Sequence, residues 1–158
     1  MFFTKKKVEK KEENGILKKE NIKLNCKVAS KEEAIKTVGQ MLCDSGYVDE
    51  NYIDGMMERE KTFVTYIGNG IAIPHGTNEV KKAVKKSGIA VMVVPEGVDW
   101  GGNEKAKMII GIAGVGDEHL EILANIAENL STEEEVEALI AAEDKEKIYN
   151  IFVGGNDL

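Results

Sequence analysis

Few residues in this chain have the chemistry to make or break a bond, and those few are scarce. There are two histidines, His75 and His119, and a single arginine, Arg59, among 21 basic residues. His75 ends a short apolar run in Gly70-Ile71-Ala72-Ile73-Pro74-His75-Gly76-Thr77. Proline has no N–H and disfavours helix at the residue before it. The run should therefore be an extended strand whose ladder pairing stops at Pro74, with His75 at its end. Gly76 removes bulk beside the ring and lets a large group approach. Thr77 offers a hydroxyl to fix the imidazole or to touch an incoming oxyanion. An imidazole titrates near neutrality, and its unprotonated ring nitrogen is a competent nucleophile. A histidine that merely caps a strand fits the same segment.

Arg59 lies two helical turns after Tyr52, which puts both on one face of a helix. A guanidinium at the edge of an apolar stripe needs an anionic partner or a place on the rim. A structural ion pair with one of the many acidic residues would satisfy it, as would a bound anion. His119 falls near the start of a later helix, on the face of Leu123 and Ile126, so it leans inward. The free N–H groups and positive dipole end of that helix, together with burial, favour a neutral ring that donates one hydrogen bond. A satisfied core histidine is the plain alternative. Together the three suit phosphoryl chemistry. They offer a nucleophile, and flanking groups that stabilise the spread charge of a phosphoryl group held in line between donor and acceptor.

The elements that must position these groups follow from hydrophobic period and punctuation. Ile22, Leu24 and Cys26 alternate as a short strand. Ser30, with Glu33 three residues on, reads as a capping box opening a helix whose stripe is Ala34, Ile35, Val38, Met41 and Leu42, and which ends at Gly46. A second helix is expected over residues 49–61, with Tyr52, Ile53, Met56 and Met57 inward. Gly68-Asn69-Gly70 is a turn. Residues 89–94 and 108–113 are apolar and rich in β-branched residues, as strands buried on both faces are. Pro95-Glu96-Gly97 and Gly101-Gly102 between them read as turns. Helices are expected over residues 117–130, after a capping box of Ser131 and Glu134, and over residues 144–152. Strands interleaved with helices predict an α/β domain, a mixed β-sheet of about five strands flanked by helices on both faces.

Composition removes other classes. The 158 residues fit one domain at residues 16–155, preceded by a charged arm at residues 1–15. A net charge of −7 argues against nucleic acid as a partner. No apolar run is long enough to span a membrane, and the N-terminus lacks a signal-peptide pattern. Cys26 and Cys43 form no CxxC pair and read as small hydrophobes in a reducing compartment, so a cytoplasmic location is expected. There is no GxxxxGK[ST] loop and no HExxH. The glycines at 111, 114 and 116 do not make a GxGxxG fingerprint. No metal and no cofactor is expected.

The chain resembles the mannitol-type IIA family of the bacterial phosphoenolpyruvate-dependent sugar phosphotransferase system. The likeness is carried, in order, by Met57-Glu58-Arg59-Glu60, by Tyr66 through Thr77, by Pro95-Glu96-Gly97-Val98, by Ile110-Gly111-Ile112-Ala113 and by Glu118-His119-Leu120. It covers roughly residues 16–152, and the lysine-rich first thirteen residues lie outside it. The resemblance implies that His75 is phosphorylated, through Nε2, by the phosphocarrier protein HPr. It implies transfer onward to a cysteine of the IIB domain of a mannitol-type permease (IICB), with Arg59 and His119 assisting. A free-standing, monomeric subunit without membrane insertion is expected. A fructose-type or nitrogen-regulatory IIA protein is the alternative within the same chemistry. A binding module that holds an anion on Arg59 and His119 is the alternative outside it.

Overall fold

The computed structural model describes residues 15–115 and 120–153. Their strands form one five-stranded sheet in the order β1-β4-β5-β3-β2, where β1 is Leu17–Lys23, β2 Tyr66–Gly68, β3 Ile71–Ala72, β4 Gly88–Gly101 and β5 Glu104–Ala113. The sheet is mixed: β1 runs parallel to β4 and β3 to β5, while β4–β5 and β2–β3 are antiparallel. The helices are α1 (Lys31–Asp44), α2 (Asn51–Thr62), α3 (Leu120–Asn129), α4 (Glu133–Ala142) and α5 (Lys145–Phe152), with a 3-10 segment at Asn78–Ala83.

Period-2 alternation sorts the sheet residues between two cores. Ala90, Met92 and Val94 of β4, with Ile109 and Ala113 of β5, pack under α1 and α2. Ile89, Val91 and Val93, with Met108, Ile110 and Ile112, pack under α3, α4 and α5. The expected α/β layering with helices on both faces is what forms. Continuous apolar strands result because neither sheet face meets water. Gly111 lets α1 come close, since a Cβ there would meet the Val38 side chain at 3.0 Å.

Several local readings shift. β1 begins earlier than the Ile22–Cys26 alternation suggests. It ends at Lys23 because Asn25 turns the chain with φ +53°, although the Cys26 N–H still reaches the Val93 carbonyl. Pro95-Glu96-Gly97 is a bulge inside β4, not a turn between strands. Val93 pairs with Met108 and Val98 with Ala106, so three extra residues loop out where proline cannot donate and Gly97 takes φ +84°. The later capping box sits one residue on: Thr132 Oγ1 accepts the Glu135 N–H, and Glu135 accepts the Thr132 N–H in return. At α1 the expected cap forms. Ser30 Oγ accepts the Glu33 N–H, while the Glu33 carboxylate takes the Ala29 N–H, one residue before the usual partner of a capping box. The charged arm through residue 14 and the stretch holding His119 lie outside the described residues.

Gly88 tests how tightly this layer is packed. A Cβ there would sit 2.2 Å from carbons of the buried Tyr47 ring. Gly88→Ala should destabilise the protein by about 1–3 kcal/mol in urea denaturation, the usual cost of overpacking.

Candidate functional site

The site is built where β3 runs out. Asn69 (φ +55°) and Gly70 (φ +82°) make the two-residue turn between β2 and β3, the left-handed pair that Asn-Gly supplies in hairpins. The Gly70 carbonyl then accepts from Lys107 and Met108 of β5. Pairing does not stop at Pro74, contrary to the sequence-based expectation. His75 bridges Ile112 in parallel, three residues on in both strands from the Ala72–Ile109 pair, so the register is kept. Proline lacks a donor but keeps its acceptor, and the Pro74 carbonyl takes the Ile112 N–H at 3.0 Å.

His75 is half-buried. Its Nδ1 lies 2.8 Å from the Ile73 carbonyl oxygen. A carbonyl oxygen only accepts, so Nδ1 must carry the proton, and in the neutral ring the lone pair belongs to Nε2. The imidazole is thus fixed at Nδ1 by the backbone.

Helix α2 holds the segment from the side. The Tyr52 hydroxyl accepts the Gly76 N–H at 2.9 Å and donates to the Ile112 carbonyl at 2.7 Å. Burial raises the Tyr52 pKa, with the Gly76 N–H pulling it back in part, so the phenol stays protonated and remains a donor. Gly76 is required here for contact and not for backbone freedom: a Cβ would meet the Tyr52 ring at 2.6 Å and Val80 at 2.9 Å. At the other end of α2, Glu60 binds Thr65, and the Thr65 carbonyl accepts the Ile73 N–H at 2.9 Å.

Arg59 stands on α2 between those two anchors. Its guanidinium lies 5.0 Å over the Phe63 ring, and its buried Nε has no hydrogen-bond partner among the described residues. It makes no ion pair with any described carboxylate, so the structural ion pair that the sequence left open is not found there. After it in the chain, Phe63, Val64 and Ile67 are each apolar and more than half exposed.

The family model for the phosphoenolpyruvate-dependent sugar phosphotransferase system, EIIA 2, matches residues 15–154. The chain belongs to this family. The mannitol-specific phosphotransferase enzyme IIA component of Bacillus subtilis (strain 168) is 56% identical over 137 residues, covering 87% of this chain and 96% of that protein. That of Geobacillus stearothermophilus is 52% identical over 136 residues, covering 86% and 94%. Among solved structures, the complex of enzyme IIAMTL with phosphorylated enzyme IIBMTL from Escherichia coli aligns with a TM-score of 0.78 at 37% identity, covering 85% of this chain and 95% of that one.

Two residues of this IIA chain that shape the site were not singled out in the sequence as functional. Tyr52 reads simply as part of an apolar stripe, and Glu60 as one acid among many. The signal for Tyr52 was its hydroxyl: a buried phenol must find partners. Tyr52→Phe would leave the Gly76 N–H and the Ile112 carbonyl without that partner. It should cost about 1–3 kcal/mol in denaturant unfolding, and the Gly76 amide should lose hydrogen-exchange protection.

Proposed function

We propose that the chain is a phosphohistidine relay. His75 takes a phosphoryl group from phospho-HPr and gives it to a cysteine of the IIB domain of a mannitol-type permease, coupled to sugar uptake and phosphorylation. The observation that carries the reading is the 2.8 Å bond from Nδ1 to the Ile73 carbonyl, which leaves Nε2 as the nucleophile. In the first step a bond forms between Nε2 and phosphorus while the bond from phosphorus to the HPr histidine breaks. In the second step a cysteine thiolate displaces Nε2. Each transfer passes through a transition state with charge spread over the equatorial oxygens, which calls for fixed positive charge and donors, not further covalent help.

Arg59 supplies that charge. Its stacking on Phe63 limits the guanidinium's freedom, and its Nε lacks a competing partner among the described residues. His119 and Thr77 are assigned supporting donors, while Gly76 serves through its close contact with Tyr52 and Val80 and not, as the sequence suggested, by opening an approach to the ring. The exposed Phe63 under the Arg59 guanidinium, with exposed Val64 and Ile67 following in the chain, suits protein partners, because exposed apolar side chains gain by being covered. No helix among the described residues is long and apolar enough to cross a membrane. We place the subunit in the cytoplasm, where its partners' reacting groups must face. The relatives named for mannitol, at 52–56% identity, favour the transport reading over a nitrogen-regulatory one.

Incubation with phosphoenolpyruvate, the general first enzyme of the system and HPr should place an acid-labile phosphate on the chain, and His75→Ala should take up none. Incorporation by His75→Ala would overturn the assignment. Arg59→Ala should slow single-turnover transfer by about two to four orders of magnitude, at or below the range known for arginine fingers. His119→Ala should impair passage to the IIB domain without lowering the melting temperature.

A further inference from the structure

Glu60 is among the few charged side chains buried in the described part of the molecule, at 7% exposure. Glutamate is almost never this buried unless it is paired. Among the described residues, every hydrogen-bond or ion-pair partner of its carboxylate is a donor. The Thr65 N–H approaches both oxygens, at 3.3 and 3.2 Å, and the Thr65 hydroxyl bonds Oε1. The Trp100 indole N–H bonds Oε2 at 3.0 Å, and Lys31 Nζ stands 3.7 Å from the same oxygen. One carboxylate thereby gathers the start of α1, the end of β4 and the residue leading into β2 around the last turn of α2.

Two consequences reach the phosphoryl site. The first is mechanical. The Thr65 carbonyl holds the Ile73 N–H at 2.9 Å, and the Ile73 carbonyl holds His75 Nδ1 at 2.8 Å. The carboxylate is thus tied through Thr65 and Ile73 to the nucleophile's ring, while Arg59 is its neighbour on the helix. The second is electrostatic. Arg59 is flanked in sequence by Glu58 and Glu60, either of which would blunt its charge. Glu58 pairs with Lys61 at 3.6 Å, and Glu60 is turned into its cage of donors with Lys31. Both flanking acids are engaged elsewhere, and no described carboxylate takes the guanidinium from an incoming anion.

We propose that Glu60 is a positioning residue for phosphoryl transfer: it sets the orientation of the His75 ring through Thr65 and Ile73 and anchors the helical turn that presents Arg59. The proposal rests on the relay reading for its kinetic consequence. Its structural consequence is measurable without any phosphoryl donor.

The test is Glu60→Gln in the full chain. A glutamine places an NH2 group where every neighbour already donates, so the cage must loosen. Single-turnover transfer from phospho-HPr should fall by about ten- to a hundredfold, the scale of a small misplacement of a reacting group, with the half-saturating concentration of phospho-HPr unchanged. In 15N spectra of the unphosphorylated protein, the neutral His75 ring should pass from one Nδ1–H tautomer to a mixture. Val136→Ala, which opens the core on the opposite face of the sheet, serves as the control for plain destabilisation and should change neither readout. If Glu60→Gln also leaves the tautomer and the rate unchanged while lowering the melting temperature, Glu60 is only a structural residue and the proposal fails. Should Glu60→Gln not fold, Trp100→Phe removes the indole bond while keeping an aromatic ring in the core. It should shift both readouts in the same direction by a smaller amount, and no shift in either would overturn the proposal. If the wild-type chain takes no phosphate on His75, the relay reading fails, and the tautomer comparison still decides whether Glu60 sets the ring.

Discussion

The hydrogen bond from His75 Nδ1 to the carbonyl two residues back is the constraint on which the rest of the site depends. A bond that closes over so few residues requires a fixed backbone between Ile73 and His75. Pro74 supplies part of it by locking its own φ. The in-register bridge to Ile112 and the bond from Ile112 N–H to the Pro74 carbonyl supply the rest. β5 is itself clamped between helical layers, so the ring inherits the rigidity of the sheet centre and not the mobility of a loop. In the proposed relay, a ring held this way would lose little freedom when a donor protein arrives.

The same constraint explains why α2 carries so many unusual contacts. Tyr52 grips the segment just past the histidine, and Glu60 reaches the strand just before it through Thr65. Arg59 is carried on the helix spanned by those two grips. The division of charge along the last turn is consistent with this arrangement. Acids on either side of the arginine are matched with lysines, and the arginine is left to an aromatic ring. A cation over an aromatic face keeps its charge available to an anion, whereas a cation in a salt bridge does not.

Much of the fold was legible because it rests on periodicity. The stripe of α1 and the apolar runs of β4 and β5 follow from the 3.6-residue repeat and from strand patterning. His75 and Arg59 stood out through scarcity and placement. The failures have local causes. Pro95-Glu96-Gly97 carries the residues of a turn, yet a long strand tolerates them as a bulge because Val98, Trp100 and Ala106 resume burial beyond it. The strand through Pro74 continues because only its donor side is lost. Ser131 and Thr132 are equivalent as caps in sequence, and the helix begins one residue later than Ser131 would set it. Glu60 was invisible as a special residue because its burial depends on Trp100, forty residues away, and on Lys31 from another helix. No local pattern encodes a cage assembled from distant segments.

The central claim is that backbone restraint of Nδ1 makes Nε2 the atom that carries phosphate. Phosphorylating the 15N-labelled chain through phosphoenolpyruvate, the first enzyme and HPr, and reading the imidazole nitrogens and their coupling to phosphorus by NMR, tests it directly. Phosphorus should couple to Nε2 of His75, with Nδ1 still protonated and hydrogen-bonded. Phosphate on Nδ1, or on any side chain other than His75, would contradict it.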